Sequence, residues 1–316
     1  MSPGRQFRDL LLGATDKPLI TPSVFNAQSA QIAANTGFET VWIGGSTVTN
    51  TLLGMPDAGY LNLSEIEFVV SRTVAVSPVP VLVDIDDSYG PAINTARAVR
   101  TMELCGAAGV MIEDQYSPRT PYEGTVAVVP LEEAVGKIKA AVEARRDTDF
   151  FIVARTDVGW SEGIEASIER CRAFVDAGAD AIFATGDFTV EDMARIGREV
   201  KVRHKKWAHP RQGRKASLNE IRELGYDNTG LGGVDLLRAA TLAMVRYLED
   251  VHERGIEGEA EQRVQFSGTA VEDWGSFTGF GKIREAERRY LPDSEYRKRY
   301  GVGKEAEFNA KSWAAT

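Results

Sequence analysis

Short apolar runs recur along the chain, each ending in polar or glycine-rich residues: PLITPSVF (18–25), TVWIGGS (40–46), PVLVDID (80–86), GVMIED (109–114), FFIVARTD (150–157), AIFATGD (181–187), KKWAHPR (205–211) and NTGLGG (228–233). The runs are continuous rather than alternating, which marks strands buried on both faces, as in a parallel sheet. The seventh and eighth are weaker and gain their assignment from position in the series. Between the runs lie stretches with apolar residues at helical spacing. In GIEASIERCRAFVDAGA (163–179), Ile164, Ile168, Cys171 and Val175 fall on one face. PAINTARAVRTMELCG (91–106) and PLEEAVGKIKAAVEARR (130–146) read the same way. Several of these helices close on a glycine just before the next run, where a left-handed backbone ends a helix.

Eight strand–helix units predict a (β/α)8 TIM barrel. An open doubly wound sheet is the alternative, but no phosphate-cradling glycine loop follows the first run. A barrel domain is expected over residues 1–255, with a linker, a helix and a tail over 256–316. The pieces of that last segment are the polar stretch EGEAEQRVQFSG, a helix around FGKIREAERRYLP, and a poorly ordered tail from residue 301. A helix tethered in this way suits exchange between subunits. A barrel places its active site at the C-terminal ends of its strands, so the polar tails of the runs are where chemistry is expected.

The most pointed of these tails is VDIDDSYG (83–90), where Asp84, Asp86 and Asp87 follow an apolar run. Residues two apart on a strand share a face, so Asp84 and Asp86 point together toward the barrel mouth. The next tail offers Glu113 or Asp114 beside them. Hard oxygen donors without histidine or thiolate favour Mg²⁺ or Mn²⁺, which keeps several waters and takes one or two carboxylates directly. A single aspartate more often caps a helix or pairs with an arginine; three acids on neighbouring strand ends favour the metal. Arg155, at the next strand end, either grips a substrate carboxylate in a bidentate fork or pairs with Asp157 or Glu113. The basic run at 203–206 reads as a solvated helix-to-strand connection.

Composition narrows the partners. The 316 residues carry a formal net charge of −9, which argues against nucleic acid and anionic membranes. Two cysteines, Cys105 and Cys171, fit a reducing compartment, and the N-terminus does not read as a secretory signal. No apolar run is long enough to span a bilayer. A cytoplasmic enzyme acting on a small molecule is expected.

VDIDDSYG, IEDQ (112–115), VARTD (153–157) and LLGMPDAGYLNLSEI (52–66) together resemble the isocitrate lyase/phosphoenolpyruvate mutase superfamily, in particular its methylisocitrate lyase-like branch. The likeness runs from PSVFNAQSAQIAANTGF (22–38) to the helix after the eighth strand. It implies a (β/α)8 barrel, a last helix exchanged between subunits, and a homo-oligomer, usually a tetramer. It further implies Mg²⁺ near Asp84, with Asp57, Asp86 and Glu113 acting largely through water. A 2-oxo acid or its enolate would chelate the metal, its carboxylate held by Arg155 and by backbone amides near Gly45 and Ser46.

Departures from the family pattern are as informative. The lyase loop P-K-[KR]-C-G-H is here SPRTPYEG (117–124), with Arg119 at the lysine position and Pro121 at the cysteine. Cys105 and Cys171 sit in helices that read as core and do not replace that cysteine. Mutases carry asparagine at the position of Pro121. Trp42 matches mutases, where lyases have tyrosine, whereas Gln115 resembles the lyase side. Thr185 stands for an acid at the sixth strand end, and His209 for an asparagine near the seventh. His209 reads as an acid or base, or as a structural hydrogen bond. Arg119, Tyr122, His209 and Arg211 suggest a different, more anionic substrate tail. Three functions follow: a Mg²⁺-dependent lyase or decarboxylase of 2-hydroxy or 2-oxo dicarboxylic acids; P–C chemistry on a phosphonopyruvate-like substrate; or an oxo-acid-binding barrel without catalysis.

Overall fold

The computed structural model describes residues 1–119, 126–207, 216–231 and 233–300. Eight parallel strands occupy the eight apolar runs: β1 Leu19–Val24, β2 Val41–Ile43, β3 Val81–Asp84, β4 Gly109–Ile112, β5 Phe151–Gly159, β6 Ala181–Gly186, β7 His204–Trp207 and β8 Asn228–Leu231. Each pairs with the next, and β8 returns to β1 with Leu19 opposite Asn228, closing the barrel. The sheet has no edge, so every strand is covered on both faces, which explains the continuous apolar runs.

Helices fall where the periodicity places them, at Ala92–Leu104, Leu131–Ala144 and Gly163–Asp176. In the last, Ile168 and Cys171 are buried and Ile164 and Val175 pack against the same cluster. Gly178, closing that helix, has φ +98°, a conformation a side chain would strain.

One element is not foreseen by the strand–helix repeat. Helix Pro3–Gly13, capped by Ser2, lies under the barrel and buries Phe7 and Leu11 against Phe151, Met111 and Leu82. The Phe7 and Phe151 rings meet edge to face at 5.0 Å. Arg8 ties the helix to Asp180 at 2.8 Å. The N-terminal end of the barrel is thus plugged and apolar, leaving the opposite mouth for polar groups.

The basic run corrects the solvated reading of the sequence. His204, Lys205 and Lys206 are buried on β7. The physical reason is that each charge finds a local outlet. His204 pairs with Asp227, Lys205 donates to the Val202 carbonyl at 3.0 Å, and Lys206 stands on an aromatic face described below.

Contacts divide the chain into two compact units, Met1–Leu237 and a second from Arg238 onward. In the second, helix Asp235–Val264 is broken at Gly255 (φ 61°, ψ −136°) and then continues through most of the segment read as a polar linker. Helices Trp274–Phe277, Phe280–Tyr290 and Asp293–Tyr300 follow. The expected tail at 301–316 lies outside the described residues.

Candidate active site

Asp84 ends β3 and is buried. The chain then makes an irregular turn in which Asp86, Ser88 and Tyr89 all take positive φ, at 49°, 67° and 62°. Such backbone is costly outside glycine and clusters at functional sites. The turn is held by the Asp86 amide, which donates to Asp84 Oδ1 at 3.1 Å, and it keeps the Asp86 carboxylate buried beside Gly45. A Cβ at Gly45 would lie 2.3 Å from Asp86 Oδ1, so only glycine allows this approach. Gly45 and Ser46 begin the short helix Gly45–Val48, which follows β2.

Glu113 and Asp114, alternatives in the sequence, separate by strand alternation. Glu113 joins the acids at the mouth. Asp114 turns away and accepts from Thr156 Oγ1 at 2.6 Å, the Asp157 amide at 2.9 Å and Arg170 at 3.1 Å.

Arg119 lies among the carboxylates. Its guanidinium bonds Asp57, reaches Asp86 Oδ1 at 2.6 Å and approaches Glu113 Oε1 at 2.9 Å. Arg155 approaches Glu113 Oε2 at 3.2 Å and donates twice to Asp157 Oδ1, at 3.1 and 2.8 Å. Both outcomes foreseen for Arg155 as an ion-pair partner are therefore realised. Thr185 donates to Asp157 and accepts from Trp160 Nε1 at 3.0 Å, so its hydroxyl serves to hold Asp157. Asp86, Glu113, Arg119, Tyr89, Tyr116 and Leu61 line part of a cleft of about 370 Å³. His209, Arg211, Tyr122 and Pro121 lie outside the described residues.

Burial dominates the electrostatics. It raises Asp86 to about 7, with Arg119 opposing and Asp84, Asp57 and Asp87 adding to the rise. It likewise raises Asp57, and lifts Glu113 well above the usual carboxylate range against the pull of Arg155 and Arg119. Burial also disfavours charge on Arg119, yet Glu113, Asp86 and Asp57 together hold its pKa above the ordinary value, so it does not serve as a proton donor. Cys171 is buried and its thiol pushed up, in keeping with a core residue.

These residues fit a hard divalent cation in charge and donor type. Asp57, Asp84, Asp86, Glu113 and Asp157 outnumber the two guanidiniums. Asp57 Oδ1 and both Glu113 oxygens are buried without a well-directed hydrogen bond. Among the described residues, however, no three acids close on one point in ligating geometry. That arrangement suits a cation that keeps water between itself and most of the acids, not one caged directly by protein.

Two basic and aromatic groups below the acids complete the floor. Trp42 is almost fully buried, and Lys206 Nζ sits over its ring, 2.9 Å from the centroid. The Phe183 ring lies beneath both Lys206 (4.9 Å) and Arg155 (5.8 Å). Lys206 was hidden in the sequence by its basic neighbours; the two-residue alternation of β7, counted inward from His204, is the signal that finds it.

A closed (β/α)8 barrel with acids and an arginine at its C-terminal mouth defines a barrel enzyme of carboxylate chemistry. A family model described as phosphoenolpyruvate phosphomutase matches residues 7–252. The chain is 41% identical over 248 residues to 2-methylisocitrate lyase of Salmonella typhimurium, covering 78% of each. It is 33% identical over 295 residues to 2,3-dimethylmalate lyase of Eubacterium barkeri, covering 92% of this chain and 99% of that protein. Among solved structures, a phosphonopyruvate hydrolase complex with oxalate and Mg²⁺ matches with TM-score 0.79 and 26% identity, over 92% of this chain and 100% of that one. The chain belongs to the phosphoenolpyruvate mutase/isocitrate lyase superfamily, and it is an enzyme of the carbon–carbon lyase type.

Proposed function

We propose that this protein is a Mg²⁺- or Mn²⁺-dependent lyase that cleaves the C–C bond beside the carbonyl or hydroxyl of a 2-oxo or 2-hydroxy dicarboxylic acid, decarboxylation included. The observation that carries the reading is the buried acidic cluster at the barrel mouth, with Asp57 and Glu113 oxygens lacking directed partners. Asp84 is the direct ligand in this reading, and Asp57, Asp86 and Glu113 hold cation-bound water. When bound, the cation supplies positive charge where the substrate oxygen next to the breaking bond becomes negative. Arg155 grips the substrate carboxylate with the guanidinium face not turned to Asp157, assisted by the amides of Gly45 and Ser46. Trp42 and Phe183 exclude water from the floor. In a 2-oxo acid the carboxyl group leaves as CO₂, and the electron pair of the broken bond stays on the carbon beside the carbonyl as an enolate. In a 2-hydroxy acid the hydroxyl gives up its proton and becomes the carbonyl of one product, and the electron pair stays on the carbon beside the carboxylate of the other. A proton then quenches that carbon. His209 remains the sequence candidate for moving that proton. The missing loop cysteine argues against isocitrate as the substrate.

The test is incubation with Mg²⁺ and oxaloacetate, 2-methylisocitrate, 2,3-dimethylmalate, phosphonopyruvate or phosphoenolpyruvate, following pyruvate and phosphate. Pyruvate without phosphate supports the proposal. Phosphate release would instead favour P–C chemistry, the second reading, which Trp42 supports. Silence across the panel with oxalate still bound would point to a binding protein. We further propose a cytoplasmic homo-oligomer, a dimer or tetramer with its last helix exchanged; a stable monomer in sedimentation at micromolar concentration would argue against that assembly.

A further inference from the structure

Lys206 is a buried amine of the barrel interior without a carboxylate partner among the described residues. It is 8% exposed, and among the described residues no acid forms an ion pair or hydrogen bond with its amine. The contrast with its neighbours is plain. Arg119 meets three acids and Arg155 two, whereas among the described residues the Lys206 amine contacts the faces of Trp42 and Phe183, with Asp84 acting on it without an ion pair or hydrogen bond. Room for its stem is made by Gly230 on β8, where a Cβ would lie 3.3 Å from Lys206 Cε. A second polar group faces the same floor. Ser23, on β1 opposite Trp42, is 5% exposed, and its buried hydroxyl has no hydrogen-bond partner among the described residues. A Cβ on Gly44 would come 3.1 Å from Ser23 Oγ and 3.2 Å from Trp42 Nε1, so the glycine keeps that hydroxyl and the indole open to the backbone of the site.

A buried amine and a buried hydroxyl, neither with a hydrogen-bond partner among the described residues, are both costly unless something completes them. Resting on the functional reading above, we propose that Lys206, with Ser23 beside it, is an anion-binding floor that receives the carboxylate end of the 2-oxo acid, a substrate contact separate from the Arg155 grip. The chemistry recognised is a small dianion that meets the Lys206 amine, with oxalate as its simplest form. Burial pushes the Lys206 amine well below its ordinary range, Asp84 opposing and Arg155 adding to the shift. An arriving carboxylate supplies the missing negative charge and favours the ammonium, as an opposite charge in a buried site does.

The test is calorimetric titration of oxalate into the Mg²⁺-loaded protein, comparing wild type with Lys206→Met and Lys206→Gln, with thermal unfolding as the control for folding. Methionine fills the same space without charge, so the unfolding temperature should hold or rise. Oxalate affinity is expected to fall about tenfold or more in both variants, while Mg²⁺ affinity without oxalate stays within about twofold. Folded variants that bind oxalate like wild type would overturn the assignment and leave the proposed function standing. Wild type that binds no oxalate would remove both.

Discussion

Asp84, Asp86 and Gly45 bear most directly on the chemistry at the scale of single residues. Asp84→Ala is expected to abolish pyruvate release; full turnover of that variant in chelator would remove the cation from the account. Gly45→Ala places a methyl against Asp86 Oδ1 and should weaken Mg²⁺ binding, measured by titration calorimetry. Asp86 also gives a pH prediction. In the folded chain it keeps its proton up to about pH 7, while an unfolded aspartate releases it near 3.8. The folded state therefore binds more protons between those values, and its stability without metal falls as pH rises from 3.8 toward 7. Asp57 and Glu113 are raised too and act in the same direction. Urea midpoints in chelator should decline across that window, and Asp86→Asn should flatten the decline. At this scale Asp84 and Asp86 were legible as acids directly after an apolar strand, and the next strand end offered Glu113 or Asp114, a choice that the structure makes in favour of Glu113. Asp57 entered only through family likeness, since it lies on a loop whose position no local pattern states. Lys206 was misread because the run around it looks solvated until β7 is known to be an interior strand.

Helix Pro3–Gly13 is the element whose role the strand–helix repeat did not foretell. Phe7 and Leu11, one turn apart, are the apolar stripe of a plug, and that meaning appears only when the barrel above them is closed. Phe7→Ala should cost about 3–5 kcal/mol, the usual range for a buried aromatic truncated to alanine, read from urea unfolding. Gly4→Ala should also destabilise, because its methyl would meet the Asp149 carbonyl at 2.4 Å, and backbone there cannot easily yield. The existence and order of the eight strands and of the main helices, by contrast, were readable, though strands such as Val41–Ile43 and His204–Trp207 are shorter than the runs that hold them. Their period reflects burial on both faces of a parallel sheet, a condition each strand meets regardless of its neighbours' identity. The polar segment after Gly255 was read as a linker because its charges mask helical propensity; Arg254 pairing with Asp250 at 2.6 Å and Glu261 at 2.6 Å holds both sides of the break.

For the whole molecule, closure of the sheet decides where charge accumulates. With one end closed by a helix whose Phe7 and Leu11 are buried and whose Arg8 pairs with Asp180, the cluster of Asp57, Asp84, Asp86, Glu113, Arg119 and Arg155 gathers at the other. A ligand that binds only this gathered state must stabilise the fold. Mg²⁺ at about a hundred times its dissociation constant should add about 2.7 kcal/mol, seen as a rise in unfolding temperature that chelator reverses and Asp84→Ala abolishes. Among the described residues, no helix is long and apolar enough to cross a membrane.

The sequence by itself determined the barrel, the order of its strands, Asp84 at the end of β3 and the arginine on β5, because each depends on a short-range period of two or about three and a half residues. Tertiary structure alone decided that Arg119 lies among Asp57, Asp86 and Glu113, partners 62 residues away in the first case and 33 in the second. It alone decided, too, that Lys206 stands on Trp42 with no acid paired to it among the described residues. Those contacts arise from closing the sheet into a ring, which joins side chains that no periodicity along the chain relates.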